Sequence, residues 1–138
     1  MKMPRRLLAA FLLGGSLLAL PGCGSSGPKA SLEAELGKLG GDADAKVNAL
    51  NEIAQLGGQA APAVPKLMEL LKDPDPVVLR TAAYALGSIG PKAKAAIPAL
   101  KAILDQSNDR DTLTATVNAI RAIDEKAVEG VRVENTSN

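Results

Sequence analysis

Asp73-Pro74-Asp75-Pro76-Val77-Val78-Leu79-Arg80-Thr81-Ala82-Ala83-Tyr84-Ala85-Leu86-Gly87-Ser88-Ile89-Gly90 holds the clearest structural pattern in the chain. Val78, Ala82, Leu86 and Ile89 recur at i, i+4, i+8 and i+11, which draws one apolar stripe along an α-helix. The aspartates ahead of the stripe offer side-chain oxygens to the unpaired N–H groups of a first turn, where a proline costs nothing because no donor is needed. Gly90-Pro91 ends the helix, since glycine tolerates the cap conformation and proline cannot continue the hydrogen-bond ladder.

Working outward, a displacement of 33 residues sets 42–73 on 75–106. Asp42/Asp75, Ala49/Ala82, Gly57/Gly90, Ala60/Ala93, Ala63/Ala96, Pro65/Pro98, Leu67/Leu100 and Leu71/Leu104 are identical, while Ile53/Leu86, Leu56/Ile89, Val64/Ile97 and Leu70/Ile103 keep their aliphatic character. The matched Gly, Pro and aliphatic residues fall where helices start, stop and bury a face, which marks a duplicated supersecondary unit. Each unit carries a second apolar stripe: Val64, Leu67, Leu70 and Leu71 in one, Ile97, Leu100, Ile103 and Leu104 in the other. Pro65 and Pro98 confine the starts of these second helices to the residues just before them.

A third first-helix follows at an offset of 34, with Thr116, Ile120 and Ile123 in place of Ala82, Leu86 and Ile89. Its partner is missing. Val131, Glu134 and Ser137 occupy the positions that need aliphatics, so the array ends at about Asp124 and 125–138 reads as a polar tail. At the other end Leu32, Leu36 and Leu39 form a short helix suited to cover the first unit, as the ends of stacked arrays require.

The stretch quoted first resembles a HEAT repeat of the short, bilin-lyase-like type, whose helix opens Asp-Pro-Asp-Pro, continues Val-Arg, and runs through alanines to Leu-Gly and Ile-Gly. Asp73, Pro74, Asp75, Pro76, Val78, Ala82, Ala83, Ala85, Leu86, Gly87, Ile89 and Gly90 match that pattern. Leu79 departs from the arginine that makes a side-chain ladder between adjacent repeats of the family. The resemblance covers about 42–124 and implies an all-α fold: a short α-solenoid, or α-α superhelix, of two to two-and-a-half HEAT-like helix pairs. The repeat domain is expected over 31–124, with units at about 42–73, 75–106 and, in part, 109–124. Neither helix of such a unit can bury its stripe alone, so the units must stack.

Ahead of the repeats, Lys2, Arg5 and Arg6 precede a charge-free apolar run from Leu7 to Leu20. That run is too short for a hydrocarbon core that takes about 20 residues to span. Leu20-Pro21-Gly22-Cys23 resembles the lipobox of bacterial lipoproteins. The resemblance implies a signal peptide over 1–22, cleavage before Cys23, and acylation of Cys23, with 23–30 a flexible tether rich in Gly and Ser. Gly24 stands where an aspartate marks inner-membrane retention, which implies an outer-membrane or surface location. An ordinary secretory signal with an incidental Cys23 is the other reading.

Composition narrows the function. The 138 residues hold 46% hydrophobic and 22% charged residues, enough for one small core. There is no His and no Trp, and the single Cys has no partner within the chain. Sixteen basic against fifteen acidic residues give +1, and removal of Lys2, Arg5 and Arg6 leaves −2, so no basic footprint points to nucleic acid. Asp105, Ser107, Asp109 and Asp111 alternate like a calcium loop, but Arg110 holds its glycine position and Thr116 its glutamate position. They read as helix caps at a repeat junction, as do Asp42, Asp44, Asp73 and Asp75. No metal and no cofactor are expected.

No Ser or Lys has an evident base beside it, so catalysis is not the expectation. Candidate contact residues are Tyr84, on the outer face of its helix with Val77, Thr81 and Ser88, and Lys66, Lys94 and Lys101 along the second-helix side. A solvated surface is the plain alternative for all four. The sequence therefore points to a membrane-anchored, non-catalytic scaffold binding unknown envelope proteins. An accessory subunit of an envelope enzyme or assembly complex is a second reading, and a lyase-type enzyme a third.

Overall fold

The computed structural model describes residues 28–129 and Val131, and among these there is no strand. Six α-helices follow one another: α1 Pro28–Lys38, α2 Ala43–Leu56, α3 Val64–Leu70, α4 Pro76–Ile89, α5 Ile97–Gln106 and α6 Arg110–Ile123. α2, α4 and α6 pack side by side as one row, with α3 against α4 and α5 against α6. α1 lies on α2 and closes the first unit, burying Leu32 and Leu39. This is the expected all-α solenoid.

The row is in register at the level of single residues. α4 buries Val78, Ala82, Ala83, Ala85, Leu86 and Ile89, and α6 buries the residues 34 positions on, Thr112, Thr116, Val117, Ala119, Ile120 and Ile123. Thr116 takes the place of Ala82 deep in the core, and its hydroxyl is satisfied by donating to the Thr112 carbonyl at 2.7 Å. Asp42, Asp75 and Asp109 cap α2, α4 and α6 by accepting from the N–H groups of Ala45, Val77 and Thr112 at 2.9, 2.8 and 3.0 Å. Gly57 and Gly90 end α2 and α4 at φ 53° and 70°, a region a side chain avoids.

Three features differ from the sequence expectation. Each glycine opens a seven-residue 3-10 segment, Gly57–Ala63 and Gly90–Ala96, before the second helix begins with its proline in the first turn. Ala60, Ala63, Ala93 and Ala96 are buried there, so the matched alanines of the repeat are core residues of a tight corner. Second, α1 begins at Pro28, inside the segment read as tether. Third, the start of the polar tail folds: Asp124 caps a 3-10 turn at Glu125–Val128, and Ala127 and Val128 pack on the core.

Candidate functional site

Among the described residues Tyr84 and Val77 are the large apolar side chains left open, 61% and 46% exposed, both on the outer face of α4. Tyr84 also forms one wall of a groove of about 610 Å³ between α4 and α6. Gly87, Ala115, Ala119 and Ala122 line it, with Ser88, Thr114, Asn118 and Asp111 around the rim. The groove exists because α4 and α6 meet through small residues. A Cβ placed on Gly87 would stand 3.1 Å from the Ala119 Cα, so glycine sets how closely the helices approach. The hydroxyls of Ser88 and Thr114 are spent on their own helix, donating to Tyr84 and Arg110 carbonyls.

Charge across the junctions is arranged in rungs. Lys46 Nζ donates to Asp73 at 2.7 Å, bridging the first unit to the second. Arg80 Nη1 donates to Asp111 at 3.1 Å and lies 4.0 Å from Asp109, bridging the second unit to α6. Lys46 occupies the position that Leu79 holds one unit later. The ladder residue missing at Leu79 is thus present at Lys46 in the first unit and replaced by the adjacent Arg80 in the second. Lys46 holds the Asp73 carboxyl below its ordinary pKa, aided by the Asp75 N–H, while burial works against the shift. Thr112, through its hydroxyl and its N–H, does the same for Asp109. The acids that alternate like a calcium loop are accounted for as cap and rung at Asp109 and Asp111.

The lysines do not form one surface. Lys66 pairs with Glu69 at 2.7 Å on α3, and Glu69 lines a small groove that Ala99 of α5 shares. Lys101 lies exposed on α5 at the position of Met68 one unit earlier. Lys94 sits in the 3-10 segment rather than on a second helix and approaches Asp124 to 3.5 Å. Tyr84 is on the first-helix row, so the structure does not bring it together with the lysines. Sequence reasoning found Tyr84 but missed the groove beside it. Its signal was the small residues Gly87, Ala115, Ala119 and Ala122 on facing helices.

The family model for HEAT repeats matches residues 31–121. The chain belongs to the HEAT-repeat family. No curated protein and no solved structure matches it. HEAT solenoids commonly serve as scaffolds for protein interaction, their stacked helices presenting extended surfaces rather than enclosed sites. Among the described residues no group of three or more His, Cys, Asp or Glu is placed to hold a metal ion, and no helix is long and apolar enough to cross a membrane. Cys23 and the lipobox lie outside the described residues.

Proposed function

We propose that this HEAT-repeat chain is a lipid-anchored lipoprotein of a bacterial envelope whose solenoid docks another envelope protein and carries out no chemistry of its own. The observation that carries the docking half is Tyr84, 61% exposed on the wall of an open groove in a family whose members commonly act as scaffolds. An aromatic at the edge of a small-residue groove supplies much contact area with little side-chain entropy to lose. The anchoring half rests on the charged start, the short apolar run and the Leu20-Pro21-Gly22-Cys23 motif. Two acyl chains or more give stable attachment, with the outer membrane or cell surface as the proposed location.

The two halves are tested separately. Cys23→Ser moves the protein from the membrane fraction to the soluble envelope fraction or blocks its maturation. A mature-length product that stays on the membrane counts against the anchor. Crosslinking in intact cells before detergent extraction yields a stoichiometric envelope partner through the solenoid, and turnover of a substrate by the purified chain overturns the scaffold reading.

A further inference from the structure

The two second helices are buried unequally. Val64, Leu70 and Leu71 of α3 are 5%, 8% and 4% exposed, whereas their equivalents on α5, Ile97, Ile103 and Leu104, are only partly buried. α3 packs on α4 and on the Gly90–Ala96 segment after it, while α5 packs on α6 without a comparable contact to the turn at Glu125–Val128. The far flank of α3, made of Pro65, Met68, Glu69 and Lys72, shares its small groove with Ala99 of α5. The equivalent flank of α5 is Pro98, Lys101, Ala102 and Asp105, all exposed. One unit further along the chain, the position of Ala99 is held by Val133.

The backbone leads toward that flank. α3 and α5 begin at Val64 and Ile97, whose N–H groups donate to the carbonyls of Ala61 and Lys94 three residues back. Val131, 34 positions after Ile97, is partly buried and makes the same bond, donating to the Val128 carbonyl at 3.0 Å. Ala127 repeats Ala60 and Ala93 of the earlier corners and packs on the core. The third unit therefore reproduces the corner up to the residue at which a second helix starts. We infer that residues 131–138 lie along α5 as the second helix of the third unit, with Val133 against Ala102 and with Glu134 and Arg132 answering Lys101 and Asp105. Among the described residues neither Lys101 nor Asp105 makes an ion pair, and the two charges beside Val133 are opposite to theirs. Val, Asn, Thr and Ser are weak helix formers, so the segment takes this form only where α5 supplies a surface.

Photocrosslinking within the full chain in detergent tests the placement. Ala102→p-benzoylphenylalanine puts a photoreactive group on the open flank of α5, and Glu69→p-benzoylphenylalanine puts the same group in the groove that α3 shares with Ala99, as the reference. After irradiation and peptide mapping, the adduct from position 102 falls within 131–138 of the same chain, as the reference adduct falls on α5. Val133→Asp lowers the yield at position 102 about fivefold, because a carboxylate replaces the methyls in the contact, and leaves the reference yield and the helical circular dichroism unchanged. Val133→Leu keeps the adduct. Mixing isotopically heavy and light chains separates contact within a chain from contact between copies. An adduct to a second copy or to another protein, no adduct in 131–138, or a yield indifferent to Val133→Asp overturns the inference.

Discussion

The two junctions between first helices share one register and one set of buried positions, yet they are fastened differently. At α2/α4 the charged rung is Lys46–Asp73, with the Asp73 carboxyl only 8% exposed. At α4/α6 both partners of that rung are gone, Leu79 and Ser107 standing in their places, and Arg80–Asp111 spans the gap from positions held earlier by Val47 and Val77. Ser107 keeps the other duty of Asp73: its hydroxyl oxygen accepts from the N–H of the capping aspartate, as Asp73 accepts from Asp75. The repeat thus conserves the backbone geometry of the joint and varies its charge and bulk. That division leaves a tight, partly buried seam at one junction and an open groove with an acidic end at the other.

The largest break in this comparison comes from the residue serving both junctions. Leu86 is fully buried in α4, the central helix of the row. Leu86→Ala therefore costs about 2–5 kcal/mol in urea unfolding followed by circular dichroism, and the unfolding stays a single transition if the units act as one body. Two separated transitions would mean the junctions melt independently. A smaller effect isolates the second junction. Gly87→Leu drives a side chain into the Ala119 backbone and costs about 1–3 kcal/mol. Arg121 is the same position on α6 and is exposed, and Arg121→Leu changes stability by no more than about 0.5 kcal/mol.

That pair of positions also shows what the sequence made legible. Stripes such as Val78, Ala82, Leu86 and Ile89 announce their helix because burying aliphatics at helical spacing is a local pattern, and all four are buried. Asp and Gly at the ends announce the caps for the same reason. The 3-10 corners were not legible: their alanines match between units, but alanine alone does not say which helical hydrogen bond it favours. The groove was not legible either, because it depends on bulk at facing positions of helices 34 residues apart. Lys101 reads as a contact residue in sequence, and the structure places it exposed on α5 beside the partly buried Ile97 and Leu104.

Acid sharpens the comparison further. Asp73 and Asp109 both have lowered pKa values in the folded chain, held by Lys46 and by Thr112 respectively. A carboxyl whose folded pKa is depressed stabilises the fold fully above its unfolded pKa of about 3.9 and loses that contribution as pH falls through the folded value. Urea midpoints hold steady near neutrality and drop below about pH 4. Asp73→Asn removes one source of that drop at the first junction and leaves the part due to Asp109. An unchanged acid profile in Asp73→Asn would show that the Lys46 rung contributes nothing to stability.

The smallest effect separates the two rungs. Arg80–Asp111 is held between exposed groups, so Arg80→Ala costs about 0.2–1 kcal/mol and the loss shrinks in high salt. Lys46→Ala costs more, because the Asp73 carboxyl it leaves behind is nearly covered and keeps only the Asp75 N–H as a partner. The same substitution returns the Asp73 pKa toward its ordinary value and so moves the onset of acid unfolding, a shift that Arg80→Ala does not produce. Equal costs for the two substitutions, with equal salt dependence, would show that burial of Asp73 makes no difference. The contrast between a sealed and an open junction would then lie in side-chain bulk alone.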